Sequence, residues 1–80
     1  MLHNGTNSFV QNYVGDLEIQ QEAADKDILF RCDDGSGSIA TYFFLDGSEV
    51  NTRFSKAAQF SDDVKAKFGD SGDLEIFHDG

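Results

Sequence analysis

The chain has 80 residues, 15 acidic against six basic side chains, and a formal net charge of −9. This length allows one domain, residues 1–80, and excludes a large enzyme, while strong acidity without a basic stripe argues against binding to nucleic acid or to anionic membrane surfaces. No apolar run approaches the roughly 20 residues that span a bilayer, and no signal-peptide pattern follows Met1, so we expect no membrane insertion.

Residues 1–80 offer little material for a hydrophobic core. A chain of this size buries only about 60–65% of its unfolded surface, so a lone monomer is expected to be marginally stable. Cys32 is the single cysteine, which excludes an internal disulfide, and no Cys/His cluster indicates a structural zinc. Association with further copies of the chain is the remaining source of stability, and we predict no cofactor.

Turn-forming residues are abundant, and the chain holds eight glycines and eight phenylalanines but no proline or tryptophan. Short aromatic runs separated by Asp-Gly and Gly-Ser pairs are typical of many short strands joined by tight turns. We therefore predict an all-β fold of short antiparallel strands and hairpins.

In the first part of the chain, alternation of apolar and polar residues predicts strands over 8–14, 16–20 and 27–33. A polar segment, 22–26, connects the second of these to the third. The third strand ends at an Asp-Gly-Ser-Gly loop, residues 34–37, whose glycines supply the positive backbone angles of a hairpin.

The following strand, 38–45, is predicted to be the most apolar. Because both of its faces carry large apolar side chains, we expect it to be central or to lie at a contact between subunits. The candidate oligomer interface consists of Tyr42, Phe43, Phe44 and Leu45. A turn at 46–48 then leads to a strand over 49–54.

Residues 56–68 are compatible with a helix or with a strand. In a helix, Ser61 would cap the N-terminus and Gly69 would follow the last turn. In a strand, they would pair with a final strand over 73–77. That pairing sets two lysines opposite two acidic residues, Lys65 and Lys67 opposite Asp73 and Glu75. We favour the strand, with a single helical turn at 57–62 as the alternative.

Two short motifs occur twice in the chain. Gly-Asp-Leu-Glu-Ile occupies 15–19 and 72–76, and an apolar-His-Asx-Gly motif occupies 2–5 and 77–80. The two offsets differ, which argues against a simple tandem repeat. Because the second histidine motif follows the pentapeptide whereas the first precedes it, we expect a segment or repeat unit of a longer modular parent. Chance recurrence in an Asp/Gly-rich chain is the alternative.

The two histidine motifs resemble a segment of a known protein family. Residues 3–10 and 77–80 together resemble the His-Asp-Gly-Ser-Asn-Ser-aromatic-aliphatic segment in structural proteins of marine bacteriophages, typically tail-fibre or tailspike-like chains. There the segment follows a Gly-rich stretch ending in Asp-Leu-x-Ile-aromatic, which is 69–77 here. The segments 33–37 and 43–48 are similar to that family as well.

This chain departs from the family pattern with Asn4 in place of Asp and Thr6 in place of Ser, both conservative in a turn. The resemblance implies a β-structured component of a virion appendage that assembles as an intertwined or prism-like homotrimer. Host-surface glycan binding is an additional implied role, and there are no catalytic residues to carry over. The alternative is a carbohydrate-binding module or adhesin repeat of a bacterial surface protein, located at the cell surface.

The weak candidates for a metal or proton-switch site are His3 and His78, each followed by Asx-Gly. We favour the simpler interpretation that each histidine packs beside a turn. Residues 33–37 invite a calcium interpretation, but in an EF-hand alignment Cys32 and Phe30 stand where carboxylates belong. A hairpin turn is the better prediction, so we predict no metal site.

No catalytic motif is found. Cys32 lies on an apolar strand beside Arg31 without a histidine partner, which predicts a buried structural thiol. A nucleophile elbow, a phosphate loop and a zinc-protease motif are all missing from the sequence, and a glycosidase carboxylate pair stays a remote alternative. Tyr13, Tyr42 and Phe77 have the chemistry to stack on sugars, although packing is the favoured role. We therefore predict a protein that is not an enzyme.

Overall fold

The computed structural model of the chain describes residues 2–3 and 5–79. These residues form seven short strands, paired antiparallel in three separate sheets, and no helix. The strands are β1 (Leu2–His3), β2 (Ser8–Phe9), β3 (Ile28–Asp33), β4 (Ile39–Asp46), β5 (Asn51–Phe54), β6 (Ala66–Phe68) and β7 (Leu74–Ile76). The predicted all-β class is confirmed, and the described residues contain no helix that could cross a membrane.

The central sheet has the order β3-β4-β5 and arises from two tight turns. In the first, Gly35 and Gly37 both have a φ of +97°, a conformation that only glycine adopts without strain. The amide of Asp34 donates to the carbonyl oxygen of Ser38 across this turn, 2.8 Å away. The predicted hairpin at 34–37 is therefore confirmed.

A β-bulge interrupts the pairing of β3 with β4. Phe30 lies opposite Phe43, whereas the next residue of β3, Arg31, lies opposite Thr41, so Tyr42 is the extra residue. A bulge bends the strand and increases its twist. The carbonyl oxygen of Tyr42 accepts hydrogen bonds from the amides of residues 55 and 56, which follow β5, at 2.9 and 3.3 Å.

The C-terminal part of the chain contains a β6-β7 hairpin rather than a helix, although of the predicted strand over 56–68 only Ala66–Phe68 is a strand. Its loop is closed by the amide of Gly72, which donates to the carbonyl oxygen of Gly69 at 3.1 Å. Lys67 lies opposite Glu75 in register, as expected, and the ammonium groups of Lys65 and Lys67 lie 3.2 and 4.0 Å from the two oxygens of that carboxylate. Both lysines thus pair with Glu75, and Asp73 is in neither ion pair.

Two predicted strands near the start of the chain are wrong in extent or in type. Of 8–14 only Ser8–Phe9 is a strand, and 16–20 contains none. Alternation alone does not make a strand, because the backbone must also find a neighbouring strand to pair with. The side chains of Tyr13 and Val14 are 85% and 88% exposed, so this segment has no such neighbour within one chain.

The turn at residues 23–26 is held against the β4-β5 turn. Asp27 accepts a hydrogen bond from the amide of Gly47, at 2.8 Å. The α-carbon of Gly47 faces the backbone of Lys26 so closely that a side chain there would overlap the Lys26 carbonyl oxygen. This contact fixes the direction in which the chain enters the central sheet.

The described residues contain no buried hydrophobic side chain, and the one buried residue is Asp46, 9% exposed. No strand of one sheet contacts a strand of another in the part of the chain that the structure describes. The radius of gyration is 16.5 Å, against about 12 Å for a compact domain of this length. The described part of a single copy therefore has secondary structure but no hydrophobic core.

Candidate functional site

One face of the central sheet is apolar across all three strands. Register places Phe30, Phe43 and Phe54 side by side, and residues two positions away along each strand share their face. We name this surface the phenylalanine face. It consists of Ile28, Phe30, Phe43, Leu45, Thr52 and Phe54. None of these six side chains carries a charge, in a chain with a net charge of −9.

The three rings of the phenylalanine face form a continuous row. The centroids of Phe30 and Phe43 lie 4.5 Å apart with the rings nearly parallel, and those of Phe43 and Phe54 lie 6.0 Å apart. These are the spacings at which aromatic pairs attract each other beyond simple burial. Even so, Phe43 in the centre of the row remains 37% exposed. The row is preformed, and no strand of another sheet contacts it in the described part of the chain.

The opposite face of the sheet is partly covered by its own polar side chains. The guanidinium of Arg53 lies over the ring of Phe44, 5.8 Å from its centroid, and approaches the Asp46 carboxylate at 3.8 Å. Beyond the bulge, Arg31 donates from Nε to the hydroxyl of Thr41 at 3.1 Å. This face therefore has charged groups and internal partners that the phenylalanine face lacks.

The structure separates the four predicted interface residues. Phe43 and Leu45 lie on the phenylalanine face, while Phe44 lies on the opposite face, half-buried under Arg53. Tyr42 occupies the bulge, and its hydroxyl donates to the carbonyl oxygen of Asp33. Sequence reasoning missed Phe30 and Phe54, which complete the ring row, because only the register across two turns brings them level with Phe43.

Two Asp-Gly-Ser turns flank β4 and are built alike. The carboxylate of Asp34 accepts hydrogen bonds from the amide and hydroxyl of Ser36, at 2.8 and 2.7 Å. That of Asp46 accepts from the amide and hydroxyl of Ser48 and from the amide of Glu49, at 3.1, 2.9 and 3.0 Å. Both turns are therefore organised around an aspartate that caps the following amides.

These hydrogen bonds lower the pKa of both carboxyls below the ordinary value of 3.8. The main cause for Asp34 is the Ser36 hydroxyl, and for Asp46 it is the Glu49 amide. Because the depressed pKa belongs to the folded state, the ionised carboxylates stabilise it at neutral pH. That contribution is lost as the pH falls below 3.8 and through the pKa values of the folded protein.

We expect Asp34→Asn and Asp46→Asn to lower thermal stability at pH 7, because a neutral amide oxygen is a weaker acceptor than a carboxylate. The difference from the parent protein should shrink as the pH falls below 3.8. Thermal unfolding, monitored by circular dichroism from neutral to acidic pH, measures this difference in stability. Asp16→Asn, outside both turns, makes the same change in net charge and serves as control. A stability gap that persists in acid would contradict this role of the carboxylates.

The other candidate residues do not converge on a chemical site. His78 lies on the exposed C-terminal segment, where its Nδ1 is 3.1 Å from the Asp62 carboxylate and its carbonyl oxygen accepts from the amide of Asp63 at 2.6 Å. The side chain of His3 lies outside the described part of the structure. No group of three or more His, Cys, Asp or Glu side chains capable of holding a metal occurs among the described residues.

Cys32 is exposed, so the prediction of a buried thiol is wrong for a single chain. It follows Phe30 by two positions on β3 and therefore lies on the same side of that strand. The described surface has no cavity of ligand size either. Comparison with protein-family models, with curated proteins and with solved structures gives no match to this chain.

Proposed function

We propose that this chain is a non-enzymatic structural module of a phage tail-fibre or tailspike-like appendage, which associates as a homotrimer and provides rigid display, with host attachment as an additional role. The observation that carries the proposal is an all-β chain with organised turns but no buried hydrophobic side chain among the described residues. Such a chain needs partners to bury its apolar groups.

The surface area supports obligate association. The chain exposes 7,118 Å², against about 4,800 Å² for a compact monomer of its mass. The excess is about 2,300 Å² per copy. If three copies each lost that excess, each of the three contacts would bury about 2,300 Å² in total, which lies in the range of obligate interfaces.

The acidity supports an appendage exposed to a saline medium. A net charge of −9 makes copies repel one another wherever charged surfaces meet. At the salt concentration of sea water the screening length falls to a few ångströms, so this repulsion becomes weak. The charge therefore favours solubility without preventing assembly through an uncharged face.

Sedimentation equilibrium of the purified chain tests the proposed assembly. We expect a mass close to three times the 8.8 kDa of one chain. Peptides of this chain in the mass spectrum of purified phage particles would establish its place in a virion. A folded monomer at all accessible concentrations would overturn the proposed trimer.

One exposed residue favours the carbohydrate-binding alternative. Tyr13 presents its ring almost entirely to solvent, with its hydroxyl donating to Gln11 at 2.7 Å, and an aromatic ring beside an amide is suited to stacking against a sugar. A glycan array separates the two functions. Specific binding by a monomer that is lost in Tyr13→Ala would favour the alternative.

A further inference from the structure

We infer that the phenylalanine face is the surface through which copies of this chain associate, with the faces of three copies turned toward a common axis. This inference rests on the proposed function and adds to it the face that is buried. The occupant of the face is therefore a second copy of this chain rather than an unrelated partner.

Charge decides between the two faces of the central sheet. In an assembly around one three-fold axis, residues that lie close to the axis approach the equivalent residues of the other copies. Arg53 and Asp46 lie on the opposite face. If that face lined the axis, each of them would approach the same charge on the other copies. The phenylalanine face brings only uncharged side chains together, so the charged side chains that give each copy its net charge of −9 stay away from the axis.

The exposure of the aromatic rings also favours the phenylalanine face as the buried surface. On the opposite face, Phe44 already has Arg53 over its ring and is half-buried. On the phenylalanine face, Phe54 is 61% exposed at the end of the stacked row. Apolar surface gains free energy in proportion to the area removed from water, so the uncovered row has the larger gain still to make.

The geometry and composition of the phenylalanine face are also suited to self-association. Sheets that pack face to face lie about 10 Å apart, close enough for the rings of two copies to interdigitate. A row of three rings, flanked by Ile28 and Leu45, forms the apolar centre that obligate interfaces require. Rings of this kind, desolvated at the centre of a contact, are the residues that dominate association energies.

Two adjacent residues on the edge strand β5 provide a matched test. Thr52 lies on the phenylalanine face opposite Leu45, and Asn51 lies on the other face opposite Asp46. Both are exposed and polar, so lysine at either position leaves the rings in place and changes the net charge equally. The two variants thus place the same ammonium group on opposite faces of the sheet, that of Asn51→Lys on the face that already carries Asp46 and Arg53.

We expect Thr52→Lys to weaken self-association roughly tenfold to a hundredfold, because it buries an unpaired charge in the contact. Asn51→Lys should change it by less than about twofold, as for a charge at a solvent-exposed site. Sedimentation velocity over a range of concentrations measures both. The rate at which a thiol reagent labels Cys32 should fall as parent and Asn51→Lys chains associate.

The outcomes separate the inference from the proposed function. A parent chain that associates, together with loss of association in Thr52→Lys alone, supports the phenylalanine face. Association that survives Thr52→Lys but is lost in Asn51→Lys overturns the face and leaves the oligomer standing. A parent chain that stays monomeric throughout overturns the proposed trimer and the interface with it.

Discussion

The midpoint of thermal unfolding is expected to rise steeply with protein concentration. When a trimer unfolds to three separate chains, each tenfold rise in chain concentration stabilises the folded state by 2RT ln 10, about 2.7 kcal/mol of trimer. The physical reason is that one chain buries no hydrophobic side chain among its described residues. In the proposed trimer, contacts between copies supply almost all of the apolar burial that opposes the loss of chain entropy.

Circular dichroism or calorimetry over about a hundredfold range of concentration, at fixed pH and salt, measures this effect. Added salt gives an independent control, because screening of a net charge of −9 should raise the midpoint further at a given concentration. A midpoint that stays constant across the whole range would show that a single chain folds alone, contrary to this expectation.

The parts of the fold that the sequence predicts well are those with local causes. The β3-β4 hairpin follows from apolar alternation on either side of two glycines that tolerate positive φ. The C-terminal hairpin follows from the Gly69–Gly72 loop and from lysines facing Glu75. Each of these features depends on residues within a few positions of one another.

The repeated pentapeptide shows where local reasoning fails. Gly15 and Gly72 begin the two copies with similar backbone angles, a φ of +78° and +67°. The second copy continues into β7, which pairs with β6, whereas the first remains without a strand partner in one chain. The two copies thus share a left-handed glycine but differ in strand pairing, because pairing depends on which segment lies alongside.

The candidate interface was predictable in part. The run from Tyr42 to Leu45 correctly indicates the most apolar strand, but a run cannot show which side chains share a face. The bulge at Tyr42 changes the pairing of β4 with β3, and the register across β5 brings in Phe54. Three strands must be aligned before the ring row becomes visible.

Gly47 is a position whose importance the sequence also conceals. It belongs to an Asp-Gly-Ser turn like that of Gly35, so the two glycines are equivalent as sequence. In the structure, Gly35 has a φ of +97° and open space around its α-carbon. The φ of Gly47 is not positive, and the backbone of Lys26 lies against its α-carbon. One glycine is required by backbone conformation and the other by close approach of a second segment.

We expect Gly47→Ala to destabilise the folded state by about 3 kcal/mol, the upper end of the range for overpacking. The added methyl group overlaps the carbonyl oxygen of Lys26, and a backbone atom cannot rotate away as a side chain can. Relief of the overlap moves the 23–26 turn outward and breaks the hydrogen bond between the Gly47 amide and Asp27. Chemical unfolding at a fixed chain concentration gives the change in free energy.

Gly35→Ala is the matched control, since it makes the same substitution in the same kind of turn. Its added methyl group meets no atom within 4 Å, so only the strain of a positive φ remains, about 1–2 kcal/mol. Amide hydrogen exchange locates the two effects. Gly47→Ala should speed the exchange of the amide at position 47, which donates to Asp27, and of the Lys26 amide, which donates to Ala23. Gly35→Ala should leave both amides protected. Equal costs for the two substitutions would show that the contact with Lys26 does not hold the chain in place.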